Sequence, residues 1–154
     1  MGQTTFSGPV RSERGFTAVG SSAVVAITAE TTLTYADHVG RIIEVNDADG
    51  AVTLPTITSD TIGATYKFFI GTDATDLDVK TDGTDKFVGS LAVAGTTTKA
   101  FAPAASNDVI SMNGTTTGGD RGSIIEVTAI ATAEYMVSGT LVGSGTVATP
   151  FADS

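Results

Sequence analysis

Asp120-Arg121-Gly122-Ser123-Ile124-Ile125-Glu126-Val127-Thr128-Ala129-Ile130-Ala131-Thr132-Ala133-Glu134-Tyr135-Met136-Val137-Ser138-Gly139-Thr140-Leu141-Val142 is the stretch that decides the fold class. β-Branched residues, which fit a pleated surface, fill it. In its first arm Ile125, Val127 and Ala129 alternate with other residues, and in its second Tyr135, Val137 and Leu141 do the same. A period of two places each set on one face of a strand. The connection around Ala131-Thr132-Ala133 is short enough to make the arms antiparallel partners, so the stretch reads as a β-hairpin with one apolar row. The other strands are expected to pack on that row. No chemically reactive group lies in it, so the best-specified part of the chain specifies a scaffold.

Composition extends the reading to the rest of the chain. The 154 residues include 27 Thr, 18 Gly, 7 Phe, 3 Tyr and no Trp. Thr favours strands and Gly favours turns, so the mixture predicts many short strands joined by tight loops. A chain of this length forms one domain and buries roughly two-thirds of the surface that it exposes unfolded. Cys is absent, which excludes a disulfide framework, a thiolate nucleophile and a cysteine metal site. The longest apolar run, Ala23-Val24-Val25-Ala26-Ile27, is far below the roughly 20 residues of a membrane helix. The start, Met1-Gly2-Gln3-Thr4-Thr5-Phe6, has neither the basic nor the apolar region of a signal peptide, and the expected site of synthesis is the cytoplasm. Seventeen acidic against eight basic side chains leave a formal charge of −9, which argues against binding a phosphate backbone.

Residues 1–22 read as an extended arm. Phe6-Ser7-Gly8-Pro9-Val10-Arg11-Ser12-Glu13-Arg14-Gly15-Phe16 has no helical or strand period, yet it carries two of the four Arg and two of the seven Phe residues. Disordered tails are poor in aromatic residues, so Phe6, Val10 and Phe16 beside Arg11 and Arg14 point to an arm that lies on a partner. Residues 23–142 are expected to form a β-sandwich. Strands are expected over Thr31–Tyr35, Arg41–Val45, Ala51–Leu54, Thr65–Ile70, Lys86–Val93 and Asp108–Met112, with Asn46-Asp47-Ala48-Asp49-Gly50 closing a hairpin. Tyr66, Phe68 and Ile70 share a face and mark the most buried strand, and Leu77 and Val79 are expected to point inward from an acidic segment. Residues 143–154 read as a trailing tail. Gly40-Arg41-Ile42-Ile43-Glu44-Val45 echoes Gly122-Ser123-Ile124-Ile125-Glu126-Val127, which puts Ile43, Val45, Ile125 and Val127 inward and Ile42 and Ile124 on the opposite face with the two glutamates. The count of short strands fits a two-sheet sandwich or jelly roll.

Catalytic patterns are absent from the sequence. His38, the one histidine, sits in a turn with no GxSxG or HExxH spacing and is expected to be exposed or to cap a turn. The glycine-rich stretch from Gly114 to Gly122 lacks the lysine of a phosphate-binding loop. Asp47-Ala48-Asp49-Gly50 and the segment Asp73–Asp85 offer oxygen ligands without calcium-loop spacing, and turn chemistry accounts for both. Asn113-Gly114-Thr115 fits the glycosylation pattern and reads more simply as a turn. The expectation is a protein that is not an enzyme and that uses no cofactor and no metal.

Taken together, Phe6-Ser7-Gly8-Pro9-Val10, Gly15-Phe16, the Gly122-x-Ile124-x-Glu126 strand, Tyr135-x-Val137-x-Gly139, Gly145-Thr146 and Thr149-Pro150-Phe151 resemble small virion structural proteins of marine tailed phages. That group includes capsid decoration, or cement, proteins, commonly trimeric. The resemblance implies a location on the outer capsid surface of the virion, with the major capsid protein and other copies of the chain as partners. The arm residues Phe6, Pro9, Val10, Arg11, Arg14 and Phe16 are then expected to contact the capsid, and Ile42, Ile124 and Met136 to form the oligomer interface. A tail-fibre or virion appendage module shares the same composition and is the alternative.

Overall fold

A computed structural model describes residues 19–154. A single 3-10 turn, Ser21–Ala23, leads into β1 (Val24–Ile27) and β2 (Thr31–Thr32), and a one-turn helix α1 (Tyr35–His38) follows. Next come β3 (Ile42–Val45), β4 (Ala51–Thr53), β5 (Thr65–Ile70), β6 (Leu77–Lys80) and β7 (Lys86–Gly89). The chain ends with β8 (Leu91–Ala94), β9 (Thr98–Phe101), β10 (Val109–Met112), β11 (Ile124–Ala131), β12 (Glu134–Val142) and β13 (Phe151–Ala152). The fold is all-β, with two sheets packed face to face. The larger sheet has the order β1-β3-β5-β11-β12-β8-β9, with β7 also on β12, and the smaller has the order β13-β10-β6-β4-β2.

The hairpin forms as the alternation requires. β11 and β12 pair antiparallel from Ile124↔Thr140 to Ala131↔Glu134, with an irregularity between Ala129 and Ala131 next to the turn. Ile125, Val127, Ala129, Tyr135, Val137 and Leu141 are all buried. β5 lies on the other side of β11 with Phe68 opposite Ile125, and Tyr66, Phe68 and Ile70 enter the same core. Each such side chain contributes roughly 1.5–3 kcal/mol when fully removed from water. Leu77 and Val79 face them from the smaller sheet, both fully buried. The echoed segments occupy the two flanks of β5: β3 runs parallel to it and β11 antiparallel, and both turn the same side chains inward.

Several expectations from the sequence need correction. β3 and β4 do not form a hairpin, because the Asn46–Gly50 turn carries the chain from the larger sheet to the smaller one. The first six strands alternate between sheets, so β1, β3 and β5 stack parallel in one while β2, β4 and β6 stack parallel in the other. Six of the eleven strand pairings are parallel, a winding unlike the antiparallel jelly roll. Lys86–Val93 is two strands broken at Ser90, where Gly89 adopts φ +109° and a Cβ would collide with the Val137 carbonyl. Tyr35 belongs to α1 rather than to a strand, since the Thr34 hydroxyl accepts from the Asp37 N–H and caps a helical turn. The stretch 143–154 does not trail: β13 pairs with β10, and Phe151 packs against Phe87 at 6.5 Å between ring centroids.

Candidate functional site

The larger sheet has a second face, which the smaller sheet does not cover. Strand pairing carries one row across it from Val24 through Ile42, Lys67 and Glu126 to Ser138. The next row runs from Ala26 through Glu44, Phe69 and Ile124 to Thr140. Between the rows lies a groove of roughly 690 Å3 with Val24, Ile42, Phe69 and Ile124 as its apolar surface. Ile42 and Ile124 remain 47% and 53% exposed, although they are large aliphatic side chains in the middle of a sheet. These four side chains neighbour one another across adjacent strands, so the exposed apolar surface is contiguous rather than scattered singly. Gly139 lies at the groove, with φ +150°, and a Cβ there would meet the Ile124 carbonyl.

Charge is confined to the groove's walls. Glu44 and Glu126 both line it, and Lys67 Nζ lies 3.3 Å from the Glu126 carboxylate. Both members of that pair are about half exposed, so the bridge is worth about 0–1 kcal/mol and does little to hold the sheet. Among the described residues Glu44 has no basic partner within salt-bridge distance. The groove is therefore apolar along its floor, with an acidic excess of one charge at its walls, counting two Glu against one Lys.

Of the residues expected at an oligomer interface, Ile42 and Ile124 come together in this groove. Met136 lies outside it on the same face, opposite Thr128 and 42% exposed. The residues expected to contact a capsid, Phe6, Pro9, Val10, Arg11, Arg14 and Phe16, lie outside the described residues. Sequence reasoning did not single out Phe69 and Val24 for the outer face. The signal was present for Phe69, because the same alternation that buries Tyr66, Phe68 and Ile70 must turn Lys67 and Phe69 outward.

A second cluster, at one end of the sandwich, is polar and structural. Asp108 is almost completely buried; Lys86 Nζ donates to it at 2.7 Å, and the Ser154 N–H donates at 2.8 Å. Burial pushes its carboxyl pKa up, but the hydrogen bonds from Lys86 and Ser154 and the Lys86 charge outweigh that and leave it below the usual range. Asp82 follows the same pattern. Desolvation raises it, while donation from the Thr56 hydroxyl, the Thr84 hydroxyl and N–H and the Asp85 N–H brings it down to about 2. Asp85, whose carboxylate accepts from the Ile57 N–H at 2.9 Å, goes the other way, raised by burial and by the charge of Asp82. These carboxylates spend their lone pairs on backbone, lysine, serine and threonine donors that tie loops together.

His38 is buried, not exposed, and its Nδ1 accepts from the Thr34 N–H at 3.0 Å, the capping role. Asn113 Oδ1 accepts from the N–H groups of Thr115 and Thr117, so the Asn113–Gly114 stretch is a side-chain-closed turn. Among the described residues no three His, Asp or Glu side chains gather as metal ligands, and no helix is long and apolar enough to cross a membrane. Tyr66 Oη is buried without a partner, beside Tyr135 in an edge-to-face pair, while Tyr135 Oη donates to the Pro55 carbonyl at 2.6 Å. Burial, then the neighbouring Tyr35, pushes the Tyr66 hydroxyl up to about 12, which keeps it neutral within the core. Comparison of the chain with protein-family models, with curated proteins and with solved structures finds no match.

Proposed function

We propose that this protein is a structural assembly module, and specifically a capsid decoration protein that binds the outside of a phage head and steadies contacts between major capsid subunits. The observation that carries the assembly reading is the groove of Val24, Ile42, Phe69 and Ile124, an apolar surface left open on a sandwich that buries a separate core between its sheets. Apart from the Tyr66 hydroxyl, the buried polar side chains tie loops and a helical turn together, which supports a role in holding. The virion assignment rests on the sequence resemblance, with the N-terminal residues Phe6, Pro9, Val10, Arg11, Arg14 and Phe16 as the capsid-facing element and a homotrimer as the assembled form. Burying an aromatic or aliphatic side chain on a shell subunit contributes roughly 1.5–3 kcal/mol, and several arms per oligomer multiply that into avidity. Arg11 and Arg14 add charge-assisted hydrogen bonds to shell carboxylates.

Removing residues 1–16 is expected to leave the β-sandwich folded by circular dichroism and to abolish binding to purified phage heads in a sedimentation assay. Binding of the truncated protein at unchanged affinity would show that the arm is not the attachment element. A tail-fibre or appendage module is the second reading, and labelled protein located on tails rather than heads by electron microscopy would favour it.

A further inference from the structure

We propose that the outer-face groove is the seat of the chain's own N-terminal segment, with Phe16 on the apolar floor and Arg14 and Arg11 against the acidic walls. Three independent features of the molecule converge on this occupant. The first is apolar complementarity: the floor of Val24, Ile42, Phe69 and Ile124 is open to solvent, and the segment Arg11-Ser12-Glu13-Arg14-Gly15-Phe16 ends in a large aromatic residue. The second is charge. The groove carries Glu44 and Glu126 against Lys67, an excess of one negative charge, while residues 11–16 carry two Arg against one Glu, an excess of one positive charge. Glu44, without a basic partner among the described residues, is the natural acceptor for a guanidinium.

The third is reach. The described chain enters the larger sheet at Val24, which is itself part of the groove and lies on the edge strand. Just before it, Gly20 has φ +93° and the Ala23 N–H donates to the Gly20 carbonyl at 3.0 Å, so the chain bends at the entry to β1. Phe16 precedes Val24 by eight residues, which span at most about 26–29 Å when extended. The distance across the sheet from β1 to β11 is three strand spacings, about 14–15 Å. The tether is therefore long enough for Phe16 to reach Ile124 across Ile42 and Phe69, and tethering gives the segment a high effective concentration over the groove. An exchange of segments between copies makes the same contact on a neighbour. The assignment does not depend on the virion reading. It withdraws Arg11, Arg14 and Phe16 from the capsid-facing set proposed above and leaves Phe6, Pro9 and Val10 to meet a shell.

The full-length chain supplies the test, because it contains no Trp. Phe16→Trp introduces a single reporter at the position assigned to the floor, and Phe6→Trp introduces one in the part left free. The Phe16→Trp protein should emit at shorter wavelength and resist acrylamide quenching several-fold better than the Phe6→Trp protein. Adding Ile124→Glu, at a half-exposed position outside the core, should return the Phe16→Trp signal to that of a solvated indole while the circular dichroism spectrum stays that of a β-sandwich. Glu44→Lys, which leaves the floor intact and reverses a wall charge, should weaken the shielding in the same direction and serves if Ile124→Glu unfolds. A Phe16→Trp signal quenched as freely as solvated indole overturns the proposal. So does a shielded signal that neither Ile124→Glu nor Glu44→Lys changes, since the segment would then lie elsewhere. No phage head is present, so failure here leaves the capsid-binding experiment standing.

Discussion

Asp108 shows how single residues hold this fold at neutral pH and where they stop doing so. Its carboxylate is buried against Lys86 and the Ser154 backbone, and its native pKa lies below the unfolded value of about 3.9. A depressed acid stabilises the fold fully above its unfolded pKa, and that contribution is lost as pH falls through the native pKa. Asp82, lowered to about 2, acts in the same direction. Asp85, raised by burial and by Asp82, acts oppositely: its folded form takes up a proton more readily, so it favours the fold towards low pH. Asp108→Asn removes the charge that Lys86 answers and is expected to cost about 1–3 kcal/mol at pH 7, because a hydrogen-bonded charge is left unpaired. Urea unfolding at a series of pH values checks this. The gap between wild type and variant should begin to narrow as pH falls below about 4, where the unfolded carboxylate takes up its proton, and close as pH passes the lower native pKa. A gap that stays constant down to pH 2 would mean that packing rather than ionisation is what the substitution disturbs.

The strands that were legible in the sequence are those in which alternation meets burial on one side only. In β11 and β12 a one-residue slip would expose Ile125, Val127, Tyr135, Val137 and Leu141 together, so the pattern leaves one register and the structure adopts it. The outward exposure of Ile42 and Ile124 followed from the same pattern, and so did half of the groove. Less legible were the crossings. Asn46-Asp47-Ala48-Asp49-Gly50 specifies a reversal of direction, but the same turn chemistry serves a hairpin within a sheet and a passage between sheets. Val45 and Val52 are buried either way, so their apolar character does not choose between them. β13 escaped notice because two residues, Phe151 and Ala152, have no period, and the glycines around Gly143 and Gly145 resemble linker. Yet Phe151 is buried against Phe87, Ser111 N–H donates to the Pro150 carbonyl at 2.7 Å, and Ser154 donates to Asp108. Deleting residues 151–154 is therefore expected to destabilise the sandwich by about 3–5 kcal/mol, the cost of removing a large core side chain together with hydrogen bonds. A thermal melt unchanged by the deletion would return the segment to the status of a tail.

At the scale of the molecule, the described residues enclose one core and leave an apolar groove on the outer face of the larger sheet, and the proposed covering of that groove bears on how many copies assemble. A segment seated on its own groove gives a closed monomer. The same segment seated on a neighbour gives an exchanged oligomer with identical contacts, the hinge being the bend at Gly20. The homotrimer proposed for the assembled form fits the second arrangement, because three arms passed around a ring satisfy three grooves and leave none open. Met136, Ile130 and Val142, half-exposed on the same face, then lie where neighbouring bodies meet. Light scattering of the full chain at micromolar concentration should accordingly report about three copies. Ile42→Glu, Ile124→Glu and removal of residues 1–16 should each shift it towards one copy, since each empties the same contact from one side or the other. Met136→Glu should have the smaller effect, because Met136 lies outside the groove. A full chain that scatters as a monomer would leave the groove to its own segment and remove exchange as the basis of assembly. A trimer that survives both Ile124→Glu and loss of the arm would place the subunit interface on another face, with the exposed Tyr35 and Ile62 as the next apolar residues to substitute.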